Sequence, residues 1–353
     1  MSLVTLADSA GIHALGWTLL HFVWQGCLIA ALLALALALV PRAAAPARYA
    51  ACCVALAAML FAPLGTLMRQ LGDEPAPALM LSRPELAAPA HSGLLLLALS
   101  LSWALGSLVM SLRLVVGVVR LRRWVERALP VPAEWQERLV ALARGIGLAR
   151  SVRLVASAAI DTPLTLGWLR PLVVLPIGVI GSLPAAYVEA LLLHELAHVR
   201  RLDYLVNVLQ TGAEALLFYH PAVHWVSRRL RLEREHCCDD VAIGALHDPI
   251  AYARALTAME AWRAPVPLPA LGSNGGSLLG RIERIVGRTE RPRATRASAL
   301  LSALVAACGL AMATAWACAG REEVAAPEPV ANVGPRLEAR PPGVAWFPPA
   351  LER

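Results

Sequence analysis

Lysine is absent from this 353-residue chain, so all 32 of its cationic side chains other than histidine are arginine. That rules out an acylation site of the Ser-x-x-Lys kind. Charge of either sign is scarce, at 16% of residues, while 58% are hydrophobic; soluble domains run to about 25% and about 45–50%. The apolar excess must lie where water is absent. A basic leader is also missing: residues 1–12 hold no arginine and one acid, Asp8, and the apolar run that follows is longer than the core of a signal peptide. The seven cysteines offer no disulfide framework. Cys27, Cys52, Cys53 and Cys308 fall in apolar runs and Cys318 at the edge of one, while Cys237 and Cys238 lie in a segment expected to face a reducing compartment.

Four runs are long enough for the roughly 20 apolar residues of a bilayer span: 15–40, 49–68, 93–119 and 298–318. The outer half of the first is amphipathic, with Trp17, His21, Trp24 and Gln25, and Arg113 near the inner end of the third can snorkel to the interface. The arginines set the sidedness. Arg42 and Arg48 follow the first run, Arg120, Arg122, Arg123 and Arg127 follow the third, and Arg288, Arg291, Arg293 and Arg296 precede the fourth. Positive charge stays on the cytoplasmic side, which puts the N-terminus, the 69–92 connection and the C-terminus outside. The formal net charge of +7 is accounted for by these clusters against anionic lipid, and no direct nucleic-acid partner is expected. The sequence therefore predicts a mainly α, multi-pass protein of a membrane that faces the cytoplasm. Residues 1–119 carry three spans, 120–297 form a cytoplasmic α+β domain, 298–318 are the fourth span, and 319–353 are a Pro-rich tail expected to be disordered.

Within 120–297 a helix leaves the membrane, turns at Pro130 and Pro132, and gives way to a second helix near 133–146 and a strand over 151–156. Two β-rich pieces around Gly167 and Trp168 predict a hairpin, and Pro163, Pro171 and Pro176 place it at a sheet edge. Ser182 is a candidate N-cap for a helix running through His198 to about Thr211. Residues 202–219 are apolar and suit burial against the membrane face. Pro221 breaks the chain, a helix follows over 225–246, residues 274–277 read as a loop, and 278–286 as a short amphipathic helix.

The predicted helix carries His194, Glu195 and His198 as an H-E-x-x-H sequence. Residues four apart leave the same helix face, so both imidazoles can share one tetrahedral Zn²⁺. Glu195 lies beside the first of them, within reach of a water activated by that ion, which suits it to general-base catalysis. A catalytic zinc needs a third protein ligand and an open position. Glu235, some forty positions later, would complete a His₂Glu set, and Asp239, one turn on, could accept the second N–H of a zinc histidine and fix its tautomer. Glu233 is the competing ligand. Tyr204, Tyr219, His220 and His224 are candidate oxyanion donors. Thr165, Gly167 and Trp168 are candidates for an edge that takes a substrate as an added strand.

Four segments together resemble the BlaR/MecR-type membrane zinc metallopeptidases: Leu-Gly-Trp-Thr-Leu-Leu-His-Phe-Val-Trp-Gln-Gly at 15–26, Thr-Pro-Leu-Thr-Leu-Gly-Trp-Leu-Arg-Pro at 162–171, the run from His194 to Asp203, and Arg-Glu-His-Cys-Cys-Asp-Asp at 234–240. The resemblance implies four spans, with a zincin-type domain in the cytoplasm between the third and fourth. It favours Glu235 over Glu233, because the family's E-x-x-x-D pattern falls on Glu235 and Asp239. In such proteins an outer domain senses a β-lactam, and the zinc domain cleaves itself or a transcriptional repressor. Here only residues 319–353 follow the fourth span and no lysine is present, so this chain is not expected to be an acylated β-lactam receptor. A trigger would act through the 69–92 loop, the tail or a separate sensor protein. The expected partners are membrane lipid and a cytoplasmic protein substrate such as a winged-helix repressor. The competing expectations are a non-proteolytic signalling scaffold that keeps a structural zinc, and a transporter subunit. The last is weakened by an ionisable motif outside the predicted spans.

Overall fold

The structure, a computed structural model, describes residues 9–72, 91–263 and 275–287. The fourth predicted span, the C-terminal tail and most of the 69–92 connection lie outside the described residues. Three long helices come first among the described residues: α1 (Ala10–Leu39), α2 (Ala45–Gly72) and α3 (His91–Glu126). Leucine and alanine, strong helix formers, dominate them, and each is long and apolar enough to cross a membrane. Arg48, at the start of α2, donates to the carbonyls of Leu37 and Val40 at 2.6 and 3.0 Å and so closes the end of α1.

A four-stranded sheet follows, built from β1 (Leu129–Pro130), β2 (Arg153–Ser157), β3 (Leu164–Leu166) and β4 (Leu172–Pro176), in the order β1-β2-β4-β3. α4 (Ala133–Gly145) lies between β1 and β2. β3 and β4 form the expected hairpin, antiparallel with Thr165 opposite Val173, and Gly167 turns it at φ 80°. Only β3 is an edge. β4 is interior and pairs parallel with β2, and its prolines are tolerated because Pro171 precedes the strand and Pro176 ends it.

Beyond the sheet come α5 (Ile177–Ser182), α6 (Ala185–Arg200), α7 (Asp203–Leu216), α8 (Pro221–Leu246), α9 (Pro249–Arg263) and α10 (Gly275–Ile285). Three expectations are corrected here. Ser182 is the last residue of α5 rather than an N-cap, and Pro184 occupies the N-cap of α6. The long helix expected to reach Thr211 breaks at Leu202, which adopts a left-handed φ of 59°. Residues 275–277 belong to α10 instead of a loop. The sequence reading did not anticipate α9.

Two apolar clusters position the site. One joins α4, the sheet, α6 and α9 through Leu139, Val173, Leu192, Leu196 and Tyr252. The other joins α1 and α2 to α7 and α8 through Phe22, Leu56, Met59, Ala213, Val226 and Leu230. Residues 203–230 thus share a core with the apolar helices, and α6 is held in the first cluster by its residues from Val188 to Val199.

Candidate metal centre

α6 presents His194, Glu195 and His198, each offering a ligand atom within 4.8 Å of the others. The rings of His194 and His198 are nearly perpendicular, with centroids 4.9 Å apart. α8 brings Glu235 against both: its carboxylate oxygens lie 3.3 Å from His194 Nε2 and 3.9 Å from His198 Nε2. Glu233 is turned away. It is buried in an ion pair with Arg48 at 2.8 Å, so the two rival carboxylates occupy opposite faces of α8.

The remaining ring nitrogens are committed elsewhere. The Tyr252 hydroxyl, from α9, donates to Asp239 Oδ1 at 2.7 Å, which leaves its oxygen to accept from His194 Nδ1 at 2.8 Å. Asp239 Oδ1 itself lies 3.4 Å from Nδ1. His198 Nδ1 donates to Asp203 Oδ2 at 2.9 Å, and Cys238 Sγ lies 3.2 Å from the same nitrogen. Tyr49 of α2 donates to the other oxygen of Asp203 at 3.2 Å. The break at Leu202 makes this possible. In an unbroken helix, positions five apart point about 140° from each other, and Asp203 could not turn back on His198.

Both imidazoles therefore carry Nδ1 protons, and a neutral ring must present a bare lone pair at Nε2. Two such lone pairs and the Glu235 carboxylate face one another, an arrangement that repels unless a cation sits among them. The donor set fits zinc: two neutral imidazole nitrogens and one carboxylate, with outer carboxylates fixing the rings. In the metal-free centre a proton on His194 takes that cation's place. Burial works against charge on His194, but Asp239 and Glu235 outweigh it and lift its pKa to about 9. Burial likewise opposes ionisation of Glu235, yet His194, His198 and Arg281 hold it down at about 2. Arg281, from α10, grips Asp239 at 2.6 and 3.0 Å and lies 3.6 Å from Glu235.

Glu195 is tied to the sheet edge. Thr165 Oγ1 donates to its carboxylate at 2.8 Å. The cleft above the centre measures about 460 Å³, with Thr162–Thr165 of the β3 segment on one side and Tyr204, Leu256 and Leu278 among its other walls. Of the candidate substrate-edge residues, Thr165 lines the cleft, whereas Gly167 and Trp168 sit in the hairpin turn beyond it. Of the candidate oxyanion donors, only Tyr204 lines it; Tyr219, His220 and His224 bond to carbonyls of Leu19, Val23 and Phe218. Sequence reasoning missed Asp203, Tyr252, Arg281 and Tyr49. Asp203 stood within the quoted motif, but nothing in its spacing reveals the break that turns it inward.

Fold and site together define a class: an integral membrane protein with a histidine- and carboxylate-lined centre of the H-E-x-x-H type beside its apolar helices. The profile of the BlaR1 peptidase M56 family matches residues 15–285, and the chain belongs to that family. It is similar to the regulatory protein BlaR1 of Bacillus licheniformis, 32% identical over 97 residues, which is 28% of this chain and 16% of that protein. It is also similar to the methicillin resistance mecR1 proteins of Staphylococcus aureus and Staphylococcus epidermidis, 26% identical over 109 residues, which is 30% of this chain and 19% of each. The matched part spans less than a fifth of these relatives' length.

Proposed function

We propose that this chain is a zinc endopeptidase of the bacterial inner membrane, with its site on the cytoplasmic side and both termini outside, and that it cleaves a cytoplasmic protein in signal transduction. The target is a repressor of the winged-helix kind or the chain itself. The reading is carried by one observation: two Nε2 atoms converge on Glu235 while both Nδ1 atoms are bound to protein acceptors. His194, His198 and Glu235 would hold the ion. Zinc, when bound, lowers the pKa of a water to about 7 and polarises a peptide carbonyl.

The chain's own groups do the rest. Glu195 takes a proton from the attacking water at its carboxylate and returns it to the leaving amine nitrogen. Thr165 keeps that carboxylate aimed into the cleft. Asp239 with Tyr252, and Asp203 with Tyr49, keep the two imidazoles in the tautomer that offers Nε2. β3 is the outermost strand on its side of the sheet, so its outer backbone groups can take an extended peptide as an added strand.

The decisive comparison is native protein against Glu195→Gln, by zinc content and by mapping of new protein termini in cells. The proposal expects about one zinc per chain in both, and substrate cleavage only in the native protein. Full cleavage by the variant would reject the mechanism. A normal phenotype for Glu195→Gln that is lost in His194→Ala would favour a scaffold with a structural zinc.

A further inference from the structure

The α7–α8 hairpin lies alongside the membrane helices rather than beneath them. Its turn packs on the middle of two spans. His220 Nε2 reaches the Val23 carbonyl at 3.0 Å, and a Cβ at Gly26 would come within 2.6 Å of the His220 ring. Trp103 Nε1, about a third of the way along α3, donates to the Leu216 carbonyl at 2.8 Å, and Gly106 leaves room for the Phe218 ring. The base of the hairpin sits at the other level. Asp203 meets Tyr49, and Glu233 meets Arg48, which also closes the end of α1. The rises agree: at about 1.5 Å per residue, His220 to Glu233 and Val23 to Leu37 each cover about 20 Å.

We infer that α7 and α8 form a re-entrant hairpin that enters the bilayer from the side of the metal centre, turns near the midplane, and presents the outer face of α7 to lipid acyl chains. The hydrocarbon layer is about 30 Å thick, so a hairpin of about 20 Å reaches beyond its centre. Irregular backbone survives at that depth only when its polar groups are satisfied by protein. The turn's carbonyls are bonded within the protein: those of Leu216, Leu217, Phe218 and His220 accept from Trp103, the His220 amide, His224 and the Val223 amide. The Ala222 amide donates to His220 Nδ1, and the Tyr219 hydroxyl donates to the Leu19 carbonyl.

The surface also fits. Val208, Leu209 and Leu216 are 50%, 62% and 46% exposed although they flank the apolar spans. Of the charges carried inward, Arg231 is paired with Glu214 at 2.7 Å, as ionisable groups at membrane depth require, whereas Arg229 makes no hydrogen bond at Nε and sits about 6 Å above the level of Glu233, close to the interface. Exposed Arg228 lies about 7 Å above the level of Glu233, within snorkelling reach of the interface. A hairpin enters and leaves on one side, so the sidedness set by the arginine clusters is unaffected. If the peptidase reading is also right, the cleft opens at the membrane surface and the cleaved segment must be presented there. The hairpin itself does not depend on that reading.

The test is nitroxide depth measurement on the full chain in phosphatidylethanolamine–phosphatidylglycerol vesicles. Labels go on Leu209→Cys and Leu216→Cys, with Leu279→Cys on α10 as the aqueous reference, in a Cys27→Ala background whose own labelling is subtracted. The oxygen-to-nickel-chelate collision ratio should be on the order of tenfold higher at 216 than at 279, with 209 between, because the bilayer core excludes the chelate. Ratios at 209 and 216 equal to that at 279 would overturn the inference. So would weak collision with both probes, which would mean that another protein surface covers this face. If Leu216→Cys fails to fold, Val208→Cys on the same helix carries the same expectation.

Discussion

Removing a single hydroxyl, in Tyr252→Phe, tests whether the ring of His194 is held ready for a metal. The hydroxyl is buried and spans 2.8 Å to His194 Nδ1 and 2.7 Å to Asp239 Oδ1. Burial and the nearby Asp239 charge push its pKa far above the ordinary tyrosine value, so it stays protonated and donates to Asp239 at any working pH. Loss of an outer partner of a metal-bound histidine lowers metal affinity about 10- to 100-fold. Asp239 Oδ1 is already 3.4 Å from Nδ1 and is anchored by Arg281, so it can take over part of the role. The expected loss is therefore near the lower end, about tenfold or about 1.4 kcal/mol of binding free energy. Competition for zinc against a chromogenic chelator, on detergent-purified protein, reads this directly. Unchanged affinity in a variant that melts like the native protein would refute the orienting role of Tyr252 and weaken the assignment of His194 as a ligand.

Other consequences follow from the same geometry. Thr165→Val deletes the donor to the Glu195 carboxylate, and a hydrogen bond to a charged group is worth about 1.5–3 kcal/mol, so kcat should fall about 10- to 100-fold with zinc content unchanged; equal kcat would show that Glu195 needs no such anchor. Glu233→Leu strands Arg48, 5% exposed in its pair with a 1% exposed carboxylate, and should destabilise by about 3–5 kcal/mol. Arg48→Met with Glu233→Leu should recover part of that in thermal melting, short of all because the carbonyls of Leu37 and Val40 lose their donor; equal melting of the single and double variants would refute the pairing. In metal-free protein the His194–Glu235 pair makes stability depend on pH at both ends. The raised pKa of His194 gives stability that is full below about 6.5 and lost as pH climbs through about 9. The lowered pKa of Glu235 gives stability present above about 4.5 and lost as pH falls through about 2. Both limbs describe one ion pair and count once; a melting temperature flat from pH 6 to 10 without metal would contradict the alkaline limb, and one flat from pH 5 to 2 the acid limb.

Local pattern made part of this protein legible. Three apolar runs long enough to cross a bilayer became α1, α2 and α3, and the helical period placed His194 and His198 on one face with Glu195 beside them. The proline-flanked pieces around Gly167 closed into the β3–β4 hairpin, although β4 proved to be interior. Spacing alone left Glu233 and Glu235 open, since both lie on the same helix. A distant arginine, Arg48, draws Glu233 to the face of α8 packed on the apolar helices and leaves Glu235 to the cleft.

By itself, then, the sequence determined what short-range geometry controls: which segments are too apolar for water, and which side chains share a turn of helix. Tertiary structure alone decided what surrounds them. Asp203 turns inward because a left-handed residue breaks the helix just before it, and Tyr252, Arg281 and Tyr49 reach the centre from α9, α10 and α2. Those contacts join residues tens to more than a hundred positions apart. They arise only when burial of the two apolar clusters fixes the helices against one another, and no periodicity along the chain encodes that packing.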